Sequence, residues 1–200
     1  MRTNVYFVRH AHSEYTPDEL GRPLSKRGIQ EAERVTEELL KQENISVVLS
    51  SPYKRAIETV AGIAGALGTE VIPIDGFRER LLSVQPVTDF SAAIKKVWED
   101  HTFSLEGGES NKDAQKRGVD ALIHVLDTYS GENIAVGTHG NIMVLIMNHF
   151  NNDYGFEFWN NLDMPDIFKL TFDGLKLAGV QRLWNRDWQS IDLRKNGQLE

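Results

Sequence analysis

A chain of 200 residues and 22.7 kDa fits one compact domain, because a single hydrophobic core still accommodates this length. Its 40% hydrophobic and 26% charged residues exclude a disordered or fibrous chain. A net charge of −7 argues against adhesion to nucleic acid or anionic membranes, and the lack of cysteine removes disulfides, thiolate metal sites and thiol nucleophiles.

The apolar run Val5 to Val8 reads as a buried strand ending at Arg9 and His10. It is much too short for a signal-peptide core or a membrane span, so a cytoplasmic protein without a membrane partner is expected. After a polar loop to about Pro23, Ser25 caps a helix whose apolar positions Ile29, Ala32, Val35, Leu39 and Leu40 recur at helical spacing, ending near Asn44. Val47 to Leu49 predicts a second strand. Ser50, Ser51 and Pro52 then predict a serine cap with proline in the first turn of a second helix, closed by Gly65 and Gly68. Val71 to Ile74 is a third strand, and strands separated by helices of this length imply right-handed crossovers in a largely parallel sheet.

The pattern weakens between Glu79 and Gly107, with one helix predicted around Ala92 to Trp98, so residues 80–106 read as a small cap-like insertion over one face of the sheet. Ser110 and Asp113 open a long helix to about Tyr129, and Ile134 to Val136 is a strand leading into Thr138, His139 and Gly140. A helix over Asn141 to His149 follows. Ile167 to Phe172 and Leu177 to Trp184, joined through Asp173 and Gly174, read as a terminal hairpin. The expectation is an α/β fold in one domain, 1–200, with a mostly parallel central sheet.

In such a sheet, ligands bind outside the carboxyl ends of the strands. Here those ends carry Arg9, His10 and His12, then Ser51 and Arg55, then Thr138 and His139. A single strand-end histidine has an ordinary structural reading. Two arginines and two histidines converging point instead to a phosphate monoester, since guanidinium forks match phosphoryl oxygens and helix amino termini add backbone donors.

These residues resemble the histidine phosphatase superfamily, which includes the phosphoglycerate mutases and related phosphatases. Arg9, His10 and Ala11 match its Arg-His-Gly hallmark; residues 24–28, 50–59, 75–79 and 107–110 match further segments, and Thr138, His139 and Gly140 complete the set. The resemblance implies a three-layer sandwich with helices on both faces of the sheet. It also implies His10 as nucleophile, Arg9, Arg55 and His139 as holders of the phosphoryl oxygens, and Glu79 as proton donor, with no metal and no cofactor. Neutral imidazole attacks through an unprotonated nitrogen, so its other nitrogen has to donate to a fixed acceptor such as a backbone carbonyl. Glu79 has to start protonated, serve the leaving alkoxide, and then act as base on water.

The sequence departs from the family at Ala11, which matters only if the backbone there needs a positive φ. It also departs at His12, expected to change the charge at the pocket mouth, and at Thr16. Thr16 and Ser13 are candidate phosphate contacts; Ser51 is either a contact or a helix cap. Glu109 and Ser110 fall near the pocket, with capping sufficient to explain Ser110. Arg22, Lys26, Arg78 and Arg80 are expected to be solvated surface charge rather than a second anion site.

Hydrolysis is favoured over mutase-type transfer, because Gly107 follows only 28 positions after Glu79 and the stretch after the acid lacks the His-Tyr-Gly of typical mutases. A non-catalytic phospho-ligand binding protein would need neither His10 nor Glu79. A metal hydrolase built on His10 and His12 would need further strand-end ligands, and only His139 stands in a suitable place. The expected partner is a small-molecule phosphate monoester. Nothing in the sequence sets the oligomeric state or names the substrate.

Overall fold

The structure is a computed structural model in which residues 1–185 are described; the domain reading 1–200 therefore extends over 186–200, outside the described residues. In chain order the elements are β1 (Arg2–Arg9), α1 (Lys26–Gln42), β2 (Val47–Ser50), α2 (Lys54–Leu67), β3 (Ile72–Pro73) and a 3-10 turn (Asp75–Phe77). Then come α3 (Phe90–Glu99), α4 (Asn111–Thr128), β4 (Asn133–Thr138), α5 (Gly140–Phe150), α6 (Phe156–Asn160), β5 (Asp166–Asp173) and β6 (Lys176–Arg182).

The sheet order is β3-β2-β4-β1-β5-β6. β1 to β4 run parallel, while β5 is antiparallel to β1 and β6 to β5, so the predicted parallel sheet carries the predicted terminal hairpin on one edge. Alternation along β1 divides the core. Val5 and Phe7 face α3, α4 and α5, whereas Tyr6 and Val8 face α1 and α2. This is a three-layer α/β arrangement with helices on both faces. Each fully buried large side chain, Phe7, Leu49 or Ile142 among them, contributes about 1.5–3 kcal/mol through removal from water. The weakly patterned insertion joins that core: Ile94, Val97 and Trp98 of α3 pack in the same cluster as α4 and α5.

Caps explain most boundaries. Ser25 accepts from Gly28 N and Ser110 from Asp113 N, as their sequence positions predict. Gly68 ends α2 in the left-handed region at φ 67°, where glycine carries no Cβ penalty, while Gly65 lies inside the helix. The start of α2 is a correction. Tyr53, not a serine, is the N-cap, and Pro52 precedes it; the Ser51 hydroxyl accepts from Tyr53 N and also meets His139. The short α6 and the 3-10 turn were not predicted, since neither is long enough to show periodicity. Among the described residues no helix is long and apolar enough to cross a membrane.

Candidate active site

Parallel pairing of β1 with β4 and of β4 with β2 brings three carboxyl ends side by side. The ladder extends past the strands: His10 N donates to Thr138 O at 2.9 Å and Ser51 N to Gly137 O at 2.7 Å. This fixes where His10, Ser51 and His139 leave the sheet. The ring centroids of His10 and His139 lie 5.2 Å apart, edge to face, with Tyr53 5.0 Å from His139 on its other flank.

His10 Nδ1 lies 2.8 Å from Ala11 O and Nε2 lies 3.2 Å from Arg55 Nε. The carbonyl can only accept and the guanidinium can only donate, so the neutral ring carries its proton on Nδ1 and its lone pair on Nε2. Burial, reinforced by the Arg55 charge, lowers the His10 pKa from 6.5 to about 3, which keeps that lone pair available at neutral pH. The Ala11 peptide is locked in turn by Thr59, whose hydroxyl accepts from Ala11 N at 3.0 Å. No described residue other than glycine has a positive φ, so alanine at position 11 is unstrained.

His139 is fully buried. Its Nε2 meets Ser51 Oγ at 2.7 Å and its Nδ1 has no partner. Burial first, then the neighbouring His10 and arginines, hold it well below the ordinary histidine value, so it is neutral in the empty site. Ser51 is therefore the orienting partner of His139, and its Oγ also accepts from Tyr53 N at 3.3 Å, just ahead of α2.

Arg9 donates through Nη1 to Asp163 O at 2.9 Å and leaves Nε buried without a partner. Gly140 makes room for it, since a Cβ there would come within 3.2 Å of that Nε. Arg55 is 3% exposed and held at all three nitrogens: besides His10, Nη1 donates to Glu19 O at 2.7 Å and Nη2 faces Glu19 Oε2 at 3.3 Å, which leaves one N–H on each Nη.

Glu79 stands at the amino end of α5, in front of the helix that His139 caps. Its oxygens accept from Asn141 N at 3.1 Å, Ile142 N at 3.0 Å and Arg80 N at 2.9 Å. An ionised carboxylate satisfies all three; a protonated one has to turn its O–H away from them. Its charge reaches both Arg9 and Arg55. The segment carrying it is clamped from two sides. Thr138 Oγ1 donates to Phe77 O at 3.1 Å, and Arg117 of α4 donates to Gly76 O at 2.7 Å and Arg78 O at 3.1 Å while pairing with Glu109. Sequence reasoning missed Arg117, because a cation on a helix face carries no local sign of the loop it will meet. Asp75, the other acid nearby, is exposed and paired with Arg78.

The remaining expected residues lie around this cluster, and for two of them, Arg22 and Arg80, the reading changes. The His12 ring is exposed and turns to Ser25 Oγ at 2.7 Å. Thr16 donates to Asp18 O at 3.0 Å, and Ser13 sits in an isolated bridge with Leu24; no hydrogen bond ties either hydroxyl to the cluster. Lys26 is exposed, and Arg78 pairs with Asp75 while its charge reaches Tyr53. Arg22 and Arg80 are not solvated surface charge. Arg80 is 4% exposed with Nε and Nη1 unpartnered, near Glu79 and Glu109. Arg22 keeps a buried, unpartnered Nε, and its charge bears on His10, Arg55 and His139. Glu109 is thus near the acid segment, bound to Arg117, and Ser110 is the cap of α4.

Among the described residues no three His, Asp or Glu side chains gather as a metal ion would need. A groove of about 620 Å³ between α1 and α2, lined by Leu24, Ile29, Ala32 and Gly62, shares no residue with the cluster and takes no part in its chemistry. What the cluster offers is a buried, uncharged imidazole with one fixed lone pair, ringed by guanidiniums with spare donors and flanked by a carboxyl group on a helix terminus. That set suits a tetrahedral dianion and transfer of its central atom.

Comparison with known proteins agrees with this chemistry. The profile of the histidine phosphatase superfamily (branch 1) matches residues 5–179. Phosphoglycerate mutase-like protein 4 of Arabidopsis thaliana is 32% identical over 154 residues, which cover 70% of this chain and 67% of that protein. Phosphoserine phosphatase 1 of Hydrogenobacter thermophilus is 31% identical over 150 residues, 68% of this chain and 70% of the relative. Among solved structures, a mycobacterial glucosyl-3-phosphoglycerate phosphatase complexed with VO3 is similar with a TM-score of 0.75 at 20% identity, covering 91% of this chain and 98% of that one, a likeness of fold.

Proposed function

The chain belongs to the histidine phosphatase superfamily, and on that premise we propose that it hydrolyses a small phosphate monoester through a phosphohistidine at His10, without a metal cofactor. The observation that carries this reading is the state of His10: Nδ1 bound to Ala11 O, Nε2 unprotonated, and a pKa lowered to about 3. A merely phosphate-binding site would gain from a protonated ring.

In the first step Nε2 of His10 forms the bond to phosphorus as the bond to the ester oxygen breaks, and the Glu79 proton goes to the departing alkoxide. In the second, water attacks the phosphohistidine, gives its proton to Glu79, and inorganic phosphate leaves with His10 restored. Arg9 and Arg55 supply the charge that the equatorial oxygens need. With the Ser51 hydroxyl donating to His139 Nε2, the His139 proton sits on Nδ1, the buried nitrogen without a partner, as one more donor to a phosphoryl oxygen. For the first step the Glu79 O–H has to turn from the helix terminus towards the ester oxygen.

The relatives' names include both mutase-like and phosphatase. Hydrolysis is favoured because the segment after Glu79 is short and its helix α3 packs into the core, leaving little chain to exclude water. Phosphoserine and phosphoglycerate-type esters are the first substrates to assay, with EDTA present throughout. Rapid quench with labelled ester should trap acid-labile, base-stable label on His10. Label on serine, or turnover abolished by the chelator and restored by metal, overturns the reading.

A further inference from the structure

Glu19 stands where the proposed chemistry has no use for an anion. Its carboxylate spans two guanidiniums, Oε1 at 2.9 Å from Arg22 Nη1 and Oε2 at 3.3 Å from Arg55 Nη2, while its carbonyl accepts from Arg55 Nη1 at 2.7 Å. The side chain itself is 52% exposed, so nothing in the core requires it to be there. The loop that carries it is pinned around it: Glu14 N donates to Pro23 O at 3.0 Å, Gly21 N to Asp18 Oδ1 at 3.0 Å, and Lys54 N, at the start of α2, to Leu20 O at 2.9 Å. The acidic side chain is thereby delivered to Arg55, which touches the His10 lone pair, and to Arg22.

Arg55 joins this contact to the reaction. Its Nε–H is bonded to His10 Nε2, the nitrogen whose lone pair must be free to reach phosphorus, and each of its two Nη groups faces one oxygen of Glu19. A phosphoryl group seated in line with Nε2 takes over the Nε–H that Arg55 gives His10, and a second oxygen on the Nη2 edge of the fork meets Glu19 there. Carboxylate and phosphoryl oxygens are alternative ligands for the same guanidinium fork. We propose that Glu19 is an internal anion that occupies Arg22 and Arg55 in the empty enzyme and is displaced by the phosphoryl group of the substrate, returning as inorganic phosphate leaves. This rests on the phosphomonoesterase reading and adds to it a residue that sets how tightly any phosphate is held. Leu20 stays on Lys54 N while the Glu19 side chain swings out, so exchange leaves the rest of the loop in place.

Displacement precedes movement of the phosphoryl group and is common to substrate, product and transition state. It therefore acts as a uniform binding term. Removing the charge should tighten inorganic phosphate by about tenfold, the effect of roughly one displaced charge-assisted contact. The test is calorimetric titration of the full chain and of Glu19→Gln and Glu19→Asp with inorganic phosphate, alongside KM and the product-inhibition constant for one ester. The expected result is that both constants fall together in Glu19→Gln, by a similar factor, with Glu19→Asp between it and the parent because the shorter acid reaches Arg55 less well. Unchanged or weaker phosphate binding with a lower kcat/KM would overturn the proposal and make Glu19 a support for Arg55 instead. Failure of the functional reading is separate: the parent chain would then neither bind inorganic phosphate nor release it from any ester.

Discussion

His10, Ser51 and His139 leave three adjacent parallel strands, whereas Glu19 and Arg22 ride on the loop between β1 and α1. The first group inherits its geometry from the same pairing that buries Phe7, Leu49 and Val136, and it cannot shift without disturbing the core. The second group rides on a loop anchored through its backbone at Pro23 and Leu20, but its side chains are held by ion pairs that can exchange partners at small cost. The inner half of the pocket is thus built for bond making, and the outer half for admitting and releasing an anion. Arg55 belongs to both, with one donor on His10 and two on Glu19.

The sharpest way to break this division is at its centre. His10→Ala should lose the labelled intermediate and reduce turnover on the order of 10⁴-fold or more, as expected for removal of a nucleophile, while unfolding stays cooperative. Single-turnover quench and a urea melt read the two sides. Wild-type turnover in this variant would show that the buried imidazole is structural.

Glu79→Gln keeps the shape but removes the proton. Its penalty should depend on the leaving group: about 10² to 10⁴ in phosphorylation rate for an alkyl phosphate, the usual worth of a positioned general acid, and far less for an aryl phosphate whose phenolate needs little protonation. Single-turnover phosphorylation of both esters isolates this step from the later role on water. An equal loss on both would withdraw the acid role from Glu79, and Asp75, exposed and paired with Arg78, would be a poor replacement.

Arg9→Ala and Arg55→Ala should each cost about 2 to 4 kcal/mol in transition-state stabilisation, by analogy with loss of one preorganised donor. They should part on binding. Phosphate gives back part of what Arg55 supplies by displacing Glu19, so affinity for inorganic phosphate measured by calorimetry should fall less in Arg55→Ala than in Arg9→Ala, whose Nε has no partner to give up. Equal losses would mean that the inner and outer halves are not joined through Arg55.

The same division explains what could be read from the sequence. Short apolar runs ending in Arg9 and His10, Ser50 and Ser51, or Thr138 and His139 announce both a strand and its chemistry, because burial and function sit next to each other in the chain. Arg22 and Arg80 lack such a neighbourhood. A long cation is exposed by default, and only the fold places their guanidinium nitrogens under cover without partners. Ser51 has the local signature of a cap, and its hydroxyl does accept from Tyr53 N, but a partner 88 residues away, His139, shares it, which no local pattern announces. Glu19 carried no signal, since one acid in a polar loop looks like any other until Arg55 arrives from α2.

The smallest expected effect tests the inner half through folding. The His10 pKa lies at about 3 in the folded chain against 6.5 ordinarily, and burial is the main cause. A depressed histidine binds more protons unfolded than folded, so its contribution to stability is fully present above about pH 6.5 and is lost as the pH falls towards 3. Relative to neutral pH, that loss amounts to about 2 kcal/mol at pH 5 for one such group. His139, lowered by burial and by its cationic neighbours, acts in the same direction. Urea unfolding of the parent and of His10→Asn at pH 7 and pH 5 removes what the carboxylates contribute, because these are common to both chains. The parent should lose about 2 kcal/mol more than the variant over this interval, whichever is the more stable at pH 7. Parallel losses would mean that His10 takes up its proton as readily folded as unfolded, and the lone pair on Nε2 would then be absent for part of the working pH range.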